Sequence, residues 1–142
     1  MTRSIEFHFF LFGLVCNFVW EMLQMPLFAF PADRSLAEIN LTCLQASAGD
    51  AMMLVVMFWI AAAMVKSRAW IFHLNRYRIT LFLAPGIVMT VVFEALATGS
   101  LNRWLYGKAM PTLPVLGTGI VPIAQWLVIP LLVLWLVRKR LA

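Results

Sequence analysis

The stretch ITLFLAPGIVMTVVFEALATGSL, residues 79–101, decides the class of this protein. It is apolar over enough length to cross a bilayer as a helix, which takes about 20 residues. Within it stands one ionisable side chain, Glu94. Gly86, Thr90, Glu94 and Ala97 recur at spacings of 4, 4 and 3, so they share one helical face. In membranes, small and polar residues mark the face turned toward other helices. A carboxyl group inside a span costs several kcal/mol, which makes it a functional candidate.

Three more segments outward from this one have the same character: roughly Ile5 to Phe30, Ala48 to Val65 and Thr118 to Val137. The whole chain of 142 residues is 63% hydrophobic and 12% charged, against about 25% charge in a soluble domain. Its mean hydropathy is +0.91. The expectation is an all-α integral membrane protein, a single domain over residues 1–142, with four transmembrane helices in a compact bundle. The spans must be helical because lipid offers no partner for free backbone groups. The first span is too long for a secretory signal, carries Glu21 and lacks a clear small-x-small cleavage site, so it is expected to remain.

Basic residues orient the spans. Arg3, Lys66, Arg68, Arg76, Arg78, Arg138, Lys139 and Arg140 fall on one side of a four-span topology, and Arg34, Arg103 and Lys108 on the other. The positive-inside rule then places both termini in the cytoplasm, with a bacterial inner membrane as the expected location. The net charge of +5 is mostly this topological signal. No basic-aromatic surface lies outside the spans, so nucleic acid is not an expected partner.

Both connections on the opposite, outer side carry signals of their own. Ser35 and Glu38 form an S-x-x-E capping box, followed by Leu36, Ile39 and Cys43 at helical spacing. This predicts a short interfacial helix between the first and second spans. Asn40-Leu41-Thr42 also matches a glycosylation sequon, a pattern that is common by chance. Between the third and fourth spans, Gly107, Pro111, Pro114 and Gly117 rule out a regular helix in an apolar stretch. Such backbone is tolerated where it is buried in protein or lines a cavity, so an ordered outer flap is expected.

On the first span Gly13, Asn17, Glu21 and Gln24 repeat the 4, 4, 3 pattern. At 1.5 Å per residue, Glu21, Glu94 and Gln125 all lie roughly 10 to 14 Å below the outer helix ends. Asp50, Asn102 and Arg103 are expected above them. The candidate catalytic residues are Glu21, Glu94 and Asp50. Asn17, Gln24, Asn102, Arg103, Tyr106, Gln125, Trp20 and Trp126 are the candidate substrate-binding residues. Asp50 also has a local explanation, a capping box with Ser47 at the start of the second span. Asn102 has one as a helix end, and Arg103, Trp104 and Tyr106 as an interfacial anchor. Trp70 and Trp135 suit the cytoplasmic belt. Pro122 and Pro130 should bend the fourth span.

Nothing suggests a metal or cofactor. Cys16 and Cys43 have no partner spacing, and His8 and His73 no ligand motif. No H-E-x-x-H, G-x-S-x-G, Walker or Rossmann signature is present. A small helical bundle with buried carboxylates and tryptophans is similar in outline to membrane sterol isomerases and lycopene cyclases, an analogy that assigns no residue. The leading expectation is an intramembrane enzyme performing acid-base chemistry on an isoprenoid or other lipid-like substrate. Close carboxylates in a low dielectric share a proton, which gives an acid and a base side by side. The alternatives are a proton- or cation-coupled carrier or channel subunit, and a non-catalytic subunit of a membrane complex. A homo-oligomer or a partner membrane subunit fits either alternative.

Overall fold

The computed structural model describes residues 4–102 and 105–142. Four helices account for most of them: α1 (Ile5–Gln24), α2 (Leu36–Val65), α3 (Arg76–Thr98) and α4 (Ile120–Leu141). Each is long and apolar enough to cross a membrane. Each helix packs on its neighbours in chain order and α4 closes on α1, so α1 lies diagonally from α3. Outward faces are apolar, with Phe7, Val15, Leu23, Val88 and Trp135 all more than half exposed. That is the surface expected of a membrane protein.

Local chemistry sets the helix starts. The Ser4 hydroxyl accepts from Phe7 N at 3.3 Å, and the Asn75 side chain accepts from Arg78 N at 2.9 Å. Ser35 and Glu38 form the capping box in full: Ser35 Oγ accepts from Glu38 N at 3.2 Å and Glu38 Oε2 from Ser35 N at 2.8 Å. That box does not start a separate surface helix. It starts α2, which runs unbroken for 30 residues. Nothing between Leu36 and Ala48 interrupts a helix, and the Ser47 hydroxyl turns back to the Cys43 carbonyl at 2.7 Å. Ser47 is therefore mid-helix, and Asp50 is not a capping residue. Cys43, expected in a connection, is buried in α2.

Two connections are more ordered than apolarity alone implied. Pro26 has no N–H to donate, and the chain leaves α1 through a 3₁₀ turn at Met25–Leu27. Extended β1 (Phe28–Ala29) then pairs antiparallel with β2 (Leu105–Tyr106), Phe28 opposite Tyr106. Beyond β2, Leu113 N donates to Thr118 O at 2.9 Å and Ile120 N to Pro111 O at 2.8 Å, closing a folded loop over residues 111–120. Pro122 lies in the first turn of α4, where a backbone N–H has no intrahelical partner anyway, so it does not interrupt the helix. Pro130 sits inside α4.

The core fills the half of the bundle nearest Ser4, Lys66 and Arg138. Phe9, Phe58, Trp70 and Phe82 interlock there with ring centroids 5.2 to 6.0 Å apart. Trp70, expected in an interfacial belt, is 1% exposed. The 3₁₀ turn Arg68–Phe72 folds it inward between the helix ends, so it closes the bundle from below. Trp135 does lie at the surface, with Lys139 Nζ 5.0 Å from its ring centroid. An ion pair, Arg68 to Glu6 at 2.6 Å, joins the turn to α1.

Candidate functional site

The opposite half is open. A cavity of about 510 Å³ lies between the helices, and Glu21 of α1, Asp50 of α2 and Glu94 of α3 all line it. Gln24, Gln125 and Trp126 line it as well. Glycine lets α1 and α2 approach closely. A Cβ at Gly13 would stand 2.7 Å from Leu54 Cδ1 and 3.3 Å from Ala51 Cα, so the two helices meet closely there. A Cβ at Gly49 would meet nothing within 4 Å. Gly49 lines the cavity and leaves it space.

A chain of side-chain amides joins the helices at the cavity floor. Trp20 Nε1 donates to Gln24 Oε1 at 3.1 Å. Gln24 Nε2 donates to Glu21 Oε1 at 3.1 Å and to Gln125 Oε1 at 3.4 Å. Gln125 Nε2 donates to Asn17 Oδ1 at 2.8 Å and to Asp50 Oδ2 at 3.0 Å. Asn17 Nδ2 donates to Gly13 O at 2.9 Å. One group sets the direction of all these bonds. An indole N–H can only donate. Gln24 must therefore turn its oxygen to Trp20 and its two protons to Glu21 and Gln125. Gln125 then turns its own protons to Asn17 and Asp50. Each glutamine uses its oxygen and both amide protons, as buried polar groups require.

A second branch reaches Glu94 from the loop. Gly119 N donates to the Tyr106 hydroxyl oxygen at 3.0 Å, and Tyr106 OH donates to Glu94 Oε2 at 2.5 Å. The backbone N–H fills the acceptor side of the phenol, which directs its proton to Glu94. Burial, with the bond to Glu94 second, raises the Tyr106 pKa above the ordinary tyrosine range. The phenol therefore stays a donor wherever the protein works.

The sequence candidates divide accordingly. Glu21, Asp50, Glu94, Gln24, Gln125 and Trp126 come together at the cavity. Asn17 lies beneath it, 1% exposed, bonded to Gln125. Asp50, expected above Gln125, is its direct partner. Trp20 and Tyr106 act on the site through Gln24 and Glu94. Asn102 is exposed with φ 46°, ending the turn after α3, and is not on the cavity wall. Arg103 and Trp104 lie outside the described residues, as does Arg3. Sequence reasoning passed over the Thr42 and Gly49 faces of α2, and Phe28 and Phe30 after α1, all on the cavity lining. Thr42, Ala46, Gly49 and Met53 stand at spacings of 4, 3 and 4, a signal masked by the polar residues around them.

Among the described residues no three His, Cys, Asp or Glu side chains are grouped to hold one metal ion. Both cysteines are free. Compared with protein-family models, curated proteins and solved structures, the chain matches none.

Proposed function

We propose that the protein is an intramembrane enzyme that transfers protons on an isoprenoid or other lipid-like substrate, in an isomerisation, cyclisation or hydration. The observation that carries this reading is a cavity of about 510 Å³ between apolar helices, into which three different helices each bring a carboxylate. Glu21 and Glu94 are the acid-base pair, arriving from diagonally opposed helices. One, protonated, adds its proton to a substrate double bond. The other, ionised, removes a proton from a neighbouring carbon. An isomerisation of this kind consumes no proton overall, and exchange of both carboxyls with water restores the starting state. Acid-base catalysis of this type contributes roughly 10²- to 10⁴-fold in rate. Asp50, held by Gln125, is the third carboxylate of the site. The loop over residues 105–119 anchors Glu94 through Tyr106.

Membrane placement follows the basic residues. The end bearing Lys66, Arg68 and Arg138–Arg140 faces the cytoplasm, with both termini, and the cavity opens in the outer half. A carrier needs a polar route through the other half. There Phe9, Phe58, Trp70 and Phe82 pack ring on ring, which favours the enzyme.

The test uses purified protein in lipid vesicles supplied with an isoprenoid extract in D₂O. Proton transfer at carbon leaves deuterium in a lipid, read by mass spectrometry whatever the product. The expected result is enzyme-dependent deuterium in one lipid species. No incorporation above a protein-free control contradicts the proposal.

A further inference from the structure

A lipid acted on by Glu21 and Glu94 must reach them from the membrane, and the exposed part of the cavity lining marks the way in. On α1 and α4, Glu21, Gln24, Pro122, Gln125 and Trp126 line the cavity and are buried or half-buried. Among the described residues, the exposed lining positions are Gln45 and Gly49 on α2, Phe93 and Leu96 on α3, and Leu101 just beyond α3. The cavity therefore meets its surroundings on the side of α2 and α3, with α1 and α4 as the inner wall. Nearer the basic end that side is shut: a Cβ on Gly86 of α3 would stand 2.7 Å from Met57 Cε of α2. At Gly49 a Cβ would meet nothing within 4 Å.

The depth of this opening decides what it faces. Gly49 is sixteen residues before the end of α2 at Val65, and Phe93 is seventeen after the start of α3 at Arg76. At 1.5 Å per residue both stand about 25 Å above the basic end, within a hydrocarbon layer about 30 Å thick. The helix faces beside them are apolar and exposed, with Met52 and Val56 on α2 and Val92 on α3. In a membrane the opening is therefore bordered by lipid chains. Size adds a second restriction. Pockets of about 300 to 1,000 Å³ enclose a drug-sized molecule. A cavity of about 510 Å³ takes one segment of a long membrane lipid and leaves the rest outside.

We propose, resting on the functional reading above, that the substrate is a long-chain lipid that enters sideways between α2 and α3, at the level of Gly49 and Phe93. One segment of its chain lies in the cavity against the carboxylates, and the remainder stays in the bilayer. Gly49 is the specificity-determining position of this passage, because its missing side chain leaves the gap through which the chain runs. The protein then acts on a lipid without extracting it from the membrane.

The test uses the full chain in vesicles and a prenyl alcohol too long to be buried whole, with a photoreactive diazirine midway along its chain. Light should attach the probe to α2 and α3 around Gly49 and Phe93, and excess unlabelled alcohol should displace it. Attachment at Phe28, Phe30 or the loop over residues 105–119 would place the entrance at the outer end and overturn the proposal. So would the absence of any displaceable attachment. Gly49→Phe sets a ring in the passage and should weaken binding of the alcohol by about tenfold or more. Its melting temperature should not fall, since glycine is the poorer helix former. Val15→Phe, on an exposed face of α1 away from the cavity, should leave binding unchanged. Full binding to a folded Gly49→Phe protein overturns the proposal, and if that variant does not fold, the attachment sites decide alone. Attachment at Gly49 and Phe93 without deuterium incorporation overturns the catalytic reading and leaves the route standing. Deuterium incorporation undiminished in folded Gly49→Phe does the reverse.

Discussion

At the basic end of the bundle, Phe9, Phe58, Trp70 and Phe82 fill the space between four helices, each 1% exposed or less. At the other end the same helices leave about 510 Å³ open and line it with carboxylates and amides. The closed end is held by shape: rings interlock, and the turn carrying Trp70 plugs the gap. The open end is held by hydrogen-bond direction, because Trp20 dictates how Gln24 and Gln125 must point. Lipid tails are as apolar as leucine, so between helices in a membrane close packing and polar bonds take the place of hydrophobic burial. The two ends use one of these each. The acidic side chains are thereby positioned without filling the cavity.

Substitutions that act on one end alone test this division. The largest loss of stability is expected at the closed end. Phe58→Ala removes a ring in contact with Phe9 and Trp70 and should cost about 3 to 5 kcal/mol, read by unfolding in detergent. A loss under about 1 kcal/mol would mean that the rings do not hold the bundle. Gln125→Leu should come next. It leaves Asn17 and Asp50 without their donor and should cost about 1 to 3 kcal/mol. Gln125→Glu supplies an acceptor in place of that donor and should not restore stability. Trp20→Phe is expected to be the mildest, about 1 kcal/mol, since it keeps the ring and removes one N–H. Combined with Gln125→Leu it should cost less than the two single losses summed, because the network it directs is already broken. Strict additivity would show that Trp20 does not set the direction of the amides.

Much of this was legible in the residues. The four apolar runs and the matched stripes Gly13-Asn17-Glu21-Gln24 and Gly86-Thr90-Glu94-Ala97 gave the helices and their inward faces. Counting residues from the outer helix ends put Glu21, Glu94 and Gln125 at one level, and all three line the cavity. Asp50 misled because Ser47-x-x-Asp50 imitates a cap. Helix continuity from Ser35 decides otherwise, and a local motif cannot report where its helix began. The cavity itself was not legible. Gly86 is packed tight against Met57 while Gly49 faces open space on the cavity lining, and two glycines look alike in a sequence. The strand pair was equally hidden, since two residues on each side carry no periodicity.

The most direct measurement compares Glu21→Gln, Asp50→Asn and Glu94→Gln, each assayed for deuterium transfer and for melting temperature on the same sample. Each amide keeps an oxygen to accept from Gln24, Gln125 or Tyr106, so the fold should persist. Glu21→Gln and Glu94→Gln should each lower transfer by roughly 100-fold or more, with melting temperatures near that of the unaltered protein. Full transfer in both folded variants would contradict a catalytic role for the carboxylates in the cavity.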